Sequence, residues 1–253
     1  MAGVFQMTIP LGAVRLHPHW FLESLAYLVG FRLYLRDRKH KGDFLPCGTR
    51  VWIIAAAITG AAIGSKLLYW LEDPVQTLGR WNDLVYMMGG KSIVGGLLGG
   101  VVAVEWIKPR LGVARRTGDL FTIPLAVGIA IGRIGCFLAG LDDHTYGTAT
   151  SLPWGVDFGD GIPRHPTQIY EMLFLLLLAW WLNRVHTQPH PEGARFRAFL
   201  AAYLGFRFAV DFLKPDVSLG GLTSIQWLCA ASLVVYLPDI VEIAAPKETP
   251  AHE

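Results

Sequence analysis

The sequence predicts an all-α protein that crosses a bilayer about seven times, with its N-terminus outside and its C-terminus in the cytoplasm. Three observations predict it. Of 253 residues, 53% are hydrophobic and only 17% charged, whereas soluble domains carry nearer a quarter charged residues. Apolar runs of roughly 17–25 residues, the length that spans hydrocarbon, recur along the whole chain. The loops between them alternate between basic and non-basic, as the positive-inside rule requires of a polytopic chain.

The first run, 19–35, ends at the basic "RDRKHK", which places that loop in the cytoplasm. The second, 50–72, leads into "EDPVQTLGRWND", mixed in charge and so outside. The third, 92–108, is short and is followed by the basic "KPRLGVARR". The fourth, 119–140, opens into a long outer loop, 141–166, rich in Gly, Asp, Pro and Thr. The fifth, 167–184, returns to the basic "NRVHTQPHPEGARFR"; the sixth, 196–213, exits at "KPDVSLGG"; the seventh, 222–244, precedes a short cytoplasmic tail. Residues 1–253 read as one transmembrane domain. The first twenty residues lack a basic region followed by an apolar core, so no cleavable signal peptide is expected.

Composition also excludes functions. A formal net charge of +2, scattered along the chain, argues against a nucleic-acid surface. Cys47, Cys136 and Cys229 form no CxxC pattern, so neither a disulfide framework nor a zinc site is expected, and no cofactor or metal-ligand cluster reads from the spacing. Glycines supply packing instead. Gly60 and Gly64, the doubled Gly95-Gly96 and Gly99-Gly100, and Gly128 and Gly132 form small-xxx-small faces that let helix backbones approach in lipid. The bare backbone at Gly95 and Gly96 can also border a ligand head group.

Chemistry is expected where charge enters the oil. From Leu120 to Leu141 the only charged residue is Arg133. At about 1.5 Å per residue, Arg133 and Arg207 each lie roughly 10 Å from the outer end of their runs. Lys66 lies at similar depth, Glu23 and Glu171 about one turn in, Asp211 nearer the end and Lys91 at a mouth; Glu105 alone sits near the cytoplasmic end. Charges in hydrocarbon are costly unless they face a partner or a hydrated cavity. One outward-facing chamber with a surplus of positive charge, suited to an anion, is therefore expected. Arg207 and Asp211, four apart, can pair on one helix. Arg133 has no acid at i±3 or i±4, so its partner comes from another helix or from a ligand, and a guanidinium matches phosphate bidentately.

The outer loop, too long for a connector, is expected to act as a lid. It carries His144, Tyr146, Asp157, Asp160, Arg164 and His165 and runs into "PTQIYE". Pro166 suits a first helical turn, so Gln168, Tyr170 and Glu171 are expected at the outer mouth, with His165 or His144 as a possible general base.

"GRIGCFLAG", "RHPTQIYE", "FRFAVDFLKPD" and "YLVGF" resemble, in order and spacing, the signatures of the prolipoprotein diacylglyceryl transferases. The resemblance runs from about His19 to the seventh run. It implies a seven-span plasma (inner) membrane enzyme of lipoprotein biosynthesis whose site faces the outer leaflet. Such an enzyme moves the diacylglyceryl group of phosphatidylglycerol onto the lipobox cysteine of a prolipoprotein signal peptide, releasing glycerol 1-phosphate. It further implies that Arg133 matches the arginine held to bind phosphatidylglycerol and Arg207 a second essential arginine. On that reading Arg133, Arg207, Gln168, Gly95 and Gly96 bind substrate, while Arg207, His165, Tyr170 and Glu171 carry the chemistry. Asp211 stands where the family usually has Glu, Val94 where it has His, and Cys136, Ala139 and Leu141 where it has Asn, Asn and Glu. Phe21 takes the place of a tyrosine. A related transferase with another acceptor, and a non-catalytic phospholipid-binding or transport protein, are the other readings these residues allow.

Overall fold

The computed structural model describes residues 9–11, 14–16, 18–185, 191–215 and 220–244, and side chains within 19–236 of that set. Seven long helices overlap the seven apolar runs: α1 (Pro18–Lys41), α2 (Cys47–Glu72), α5 (Ile93–Ile107), α6 (Thr122–Ala139), α7 (Thr167–Val185), α8 (Ala194–Val210) and α9 (Ser224–Ala244). Two short helices in the loop after α2, α3 (Pro74–Gly79) and α4 (Leu84–Met88), were not expected. Each starts on an aspartate that reading for apolar runs passes over: Asp73 accepts from the Gln76 N–H, and Asp83 from those of Val85 and Tyr86, as N-caps do. Two small antiparallel ribbons, β1 (Ile9–Leu11) with β2 (Val14–Leu16) and β3 (Val156–Asp157) with β4 (Pro163–Arg164), qualify the all-α expectation.

Contacts between helix ends reveal the alternation. The starts of α1, α5, α7 and α9 meet the ends of α2, α6 and α8. Lys91, just before α5, pairs with Glu23 on α1; Glu171 on α7 pairs with Arg133 and Arg207; Ser224 on α9 donates to the Leu71 carbonyl of α2. At the opposite end Asp119, before α6, accepts from the backbone N–H of Gly193 at 2.7 Å and of Phe196 at 3.0 Å. This caps α8 from outside its own sequence. Gly193 has φ +77°, and a Cβ there would also meet the Arg116 side chain, so glycine suits both constraints.

The core lies among α6, α7, α8 and α9, where Ala126, Ala130, Leu175, Leu182, Phe199, Leu200, Tyr203, Leu204, Ile225 and Cys229 are buried together. Many large apolar side chains instead point outward, among them Trp52, Ile58, Leu67, Val102, Leu177, Trp180 and Val234. In water such a surface would drive association; against lipid tails it is the matched surface. Two helices, in segments Cys47–Glu72 and Gly118–Asp143, are both long and apolar enough to cross a bilayer on composition alone.

α2 and α5 are joined along the glycine faces. A Cβ on Gly64 would collide with the Gly95 carbonyl oxygen, one on Gly95 with that of Gly64, and Gly60 and Gly99 show the same reciprocity. Gly96 lies in ordinary contact with Ala61 and Ser65 of α2. Gly95 and Gly96, expected near a head group, thus serve this helix seam. Gly132 differs from its expected role, because a Cβ there would meet nothing within 4 Å; α1 packs on α6 through Gly128 and Gly135 instead. Gly64→Ala is expected to destabilise the protein by roughly 1–3 kcal/mol through overpacking, measured by unfolding in mixed micelles. Gly132→Ala is expected to change little.

Candidate functional site

Arg133 lies in the last turns of α6, Glu171 in the second turn of α7 and Arg207 in the last turn of α8. The antiparallel run of α6, α7 and α8 brings these three ends to one level. Arg133 Nη2 lies 2.8 Å from Glu171 Oε2, and Arg207 Nη1 donates to the same oxygen at 3.0 Å. The other oxygen, Oε1, accepts from the Tyr203 hydroxyl at 2.6 Å. Arg207 reaches down its own helix with Nη2, 2.8 Å from Asp211 Oδ1. Asp211 Oδ2 accepts from Thr223 Oγ1 at 2.7 Å, and Lys214 Nζ stands 4.0 Å from Oδ1.

The groups at the centre are buried: Arg133 is 6% exposed, Arg207 3% and Glu171 2%, with Lys214 partly exposed at the edge. Two arginines reach one carboxylate oxygen because neither helix carries enough acid of its own. Arg133 and Arg207 share Glu171, Arg207 also pairs with Asp211, and Lys214 stands beside the same aspartate. Hydrogen-bonding capacity is left over. Among the described residues, Arg133 Nε, Arg207 Nε and both polar atoms of Gln168 are buried without a partner. Gln168 is 1% exposed and lies one turn before Glu171 on the same face of α7. A buried amide with neither donor nor acceptor used costs several kcal/mol, which makes Gln168 a candidate ligand-binding group.

The expected single chamber is two clusters. Helix rotation separates them, because Glu23 on α1 turns toward Lys91 while Glu171 on α7 turns toward the arginines. Lys91 Nζ is 2.6 Å from Glu23 Oε1, and His19 lies between Glu23 Oε2 at 3.8 Å and Asp143 Oδ1 at 3.6 Å. Cys136 links the halves, its Sγ 3.8 Å from Arg133 Nη1. Lys66 belongs to neither cluster, since it donates to the carbonyls of Met88, Gly89 and Gly90. Glu105 pairs with Lys108 at 2.9 Å.

Gln168 and Glu171 are not at a mouth, as expected, but inside the bundle. Their i, i+3 spacing turns both toward α6 and α8. Tyr170, out of phase, faces the loop instead: its hydroxyl accepts from Trp154 Nε1 at 2.9 Å and meets His165 Nδ1 at 3.2 Å. The loop over this end is ordered by its own chemistry. Asp157 accepts from the N–H groups of Gly159 and Gly161, and Thr148 N–H donates to the Leu213 carbonyl at 2.6 Å. Arg164, hydrogen-bonded to Asp160 at 2.6 Å, holds that carboxyl below its ordinary range. His144 takes φ +51° and its ring lies near Tyr146. Val94 is fully buried in the core, so no titratable group stands at that position.

Sequence reasoning missed Tyr203, Thr223 and Lys214. A signal existed for Thr223, whose "TSIQ" is a capping box: Gln226 N–H donates to Thr223 Oγ1 and Thr223 N–H to Gln226 Oε1. That reciprocal pair orients the hydroxyl that donates to Asp211. Tyr203 carried no signal, being one aromatic among many. His19, Cys136 and Asp143 also converge, their ligand atoms all within 4.8 Å of one another, although sequence spacing suggested no such grouping.

Comparison with known proteins identifies the family. A family model described as "Prolipoprotein diacylglyceryl transferase" matches residues 6–240. A protein of Bordetella parapertussis named phosphatidylglycerol–prolipoprotein diacylglyceryl transferase is 33% identical, over 85% of this chain and 88% of its own. One of the same name from Vibrio parahaemolyticus is 33% identical over 85% and 82%, and one from Nitratidesulfovibrio vulgaris 37% over 75% and 72%. With the match extending over nearly the whole sequence and through the segments that bring Arg133, Glu171 and Arg207 together, the chain belongs to the prolipoprotein diacylglyceryl transferase family.

Proposed function

We propose that this chain is a membrane transferase that moves the diacylglyceryl group of phosphatidylglycerol to the lipobox cysteine of prolipoprotein signal peptides, releasing glycerol 1-phosphate. The observation that carries the reading is the convergence of Arg133 and Arg207 on one buried oxygen, with the Nε–H of each guanidinium unengaged among the described residues. The chain would cross the inner membrane seven times, N-terminus outside, and hold this cluster in the outer half of the bilayer. Phosphatidylglycerol's acyl chains would stay among lipid while its phosphate meets the arginines and Gln168.

In the reaction the lipobox thiolate attacks the glycerol carbon bonded to the phosphate oxygen. A C–S bond forms, the C–O bond breaks, and its electron pair leaves with glycerol 1-phosphate. Negative charge grows on that leaving phosphate, where two fixed guanidiniums in a water-poor site stabilise it most. Glu171, with both oxygens engaged, does not touch substrate; it positions the arginines. His165, held at Nδ1 by Tyr170, is the group assigned to take the thiol proton. Neither Gly95 nor Gly96 is needed for this arrangement.

The test is transfer by the purified protein in phosphatidylglycerol vesicles to a synthetic lipobox peptide. The expected result is a peptide mass gain of one diacylglyceryl group, with equimolar glycerol phosphate. Glycerol phosphate without peptide modification would indicate another acceptor. The absence of both from folded protein would leave a lipid-binding protein.

A further inference from the structure

The second cluster has a chemistry of its own. His19 stands in the first turn of α1, Cys136 in the last turn of α6 and Asp143 at the end of the short turn that follows α6. Their ligand atoms lie within 4.8 Å of one another. A tetrahedral zinc site needs nitrogen, sulfur and oxygen at about 2.0–2.3 Å from the metal, and so roughly 3.5 Å from each other. His19 Nδ1 and Asp143 Oδ1 are already 3.6 Å apart. The Cys136 sulfur lies no more than 4.8 Å from either, so only a small side-chain shift is needed to close the tetrahedron.

The surroundings hold these three as ligands are held. Glu23 Oε2 lies 3.8 Å from His19 Nε2, the far ring nitrogen; this is longer than a hydrogen bond, and a small turn of the ring would close it into the carboxylate–histidine–metal arrangement that orients an imidazole. Thr145 Oγ1 donates to Asp143 Oδ2 at 2.6 Å and so leaves Oδ1 turned inward. Lys91 is paired with Glu23, and Arg133, which shares Glu171 with Arg207, also lies 3.8 Å from Cys136 Sγ, where its charge favours the thiolate. The His19 side chain is 28% exposed and that of Asp143 16%, which gives an ion a path from outside.

We propose that His19, Cys136 and Asp143 bind a thiophilic divalent cation of the zinc class, which ties the start of the outer loop to α1 beside Arg133. On binding, the Cys136 thiol gives its proton to solvent. Thiolate and carboxylate then balance the two charges of the ion, and a water completes the tetrahedron. The inference does not depend on the transferase reading.

Cobalt(II) serves as the visible probe, titrated into untagged, metal-free protein in detergent. One equivalent is expected to bind with a near-ultraviolet thiolate-to-cobalt band, which zinc then displaces. Cys136→Asn is expected to abolish the band, and Asp143→Asn to weaken binding more than about tenfold. Glu23→Gln is expected to weaken it about 10–100-fold, as loss of an outer-shell partner does. Folding of each variant is checked by circular dichroism and monodispersity. Saturating cobalt that gives the wild type no thiolate band, or a band that survives in folded Cys136→Asn, overturns the proposal. The second result would assign the sulfur to Cys47 or Cys229.

Discussion

Arg133→Ala is expected to abolish diacylglyceryl transfer while leaving a folded protein. The residue stands on α6 with its guanidinium buried beside Arg207, and no acid of its own helix pairs with it. Its loss removes one of two donors aimed at the place where leaving-group charge develops. Removing a single preorganised donor of that kind costs about 10²–10³-fold in rate, so peptide lipidation should fall at least that far. The fold should survive, because Glu171 keeps Arg207 on Oε2 and Tyr203 on Oε1. Arg133→Lys restores the charge without the planar fork and should recover only part of the rate. Peptide mass gain and glycerol phosphate release in phosphatidylglycerol vesicles measure both. Near-wild-type transfer by Arg133→Ala would remove the basis of the proposed function.

Glu171→Gln should produce the largest loss of stability of any single change at the site. One carboxylate balances two buried guanidiniums and accepts a tyrosine hydroxyl. Taking away one partner of a buried ion pair leaves charge uncompensated at a cost of about 3–5 kcal/mol. Among the described residues no other carboxylate pairs with Arg133, while Arg207 retains Asp211. Thermal unfolding in detergent measures the effect. Adding Arg133→Gln to Glu171→Gln should restore much of the stability, because the orphaned charge is then gone, and the non-additivity gives the coupling directly. Equal losses in the single and double variants would show that Glu171 acts by packing alone.

The candidate site was legible in unequal parts. Arg133 and Arg207 stood out because an ionised group in a long apolar run is expensive wherever the helix points. Asp211 followed from i, i+4 spacing, and the structure pairs it with Arg207. The place of Glu171 was not legible. Its depth could be counted along the chain, but whether it faced a mouth, Lys91 or the arginines depended on the rotation of α7 against α6 and α8. The same uncertainty merged two clusters into one chamber. Gly95 could not be assigned either, because a bare backbone looks alike in sequence whether it meets a lipid or the carbonyl of Gly64.

Membrane character and the places of the long helices were legible in the sequence by itself, since hydropathy is a local property that survives any arrangement of neighbours. Only the tertiary structure decided which charges share a carboxylate, which glycines close a seam, and that His19, Cys136 and Asp143 meet. Those pairings are set by helix azimuth and by contacts between residues far apart in the chain. A rotation of one helix by a single residue, about 100°, would leave the hydropathy profile unchanged and redirect every buried charge.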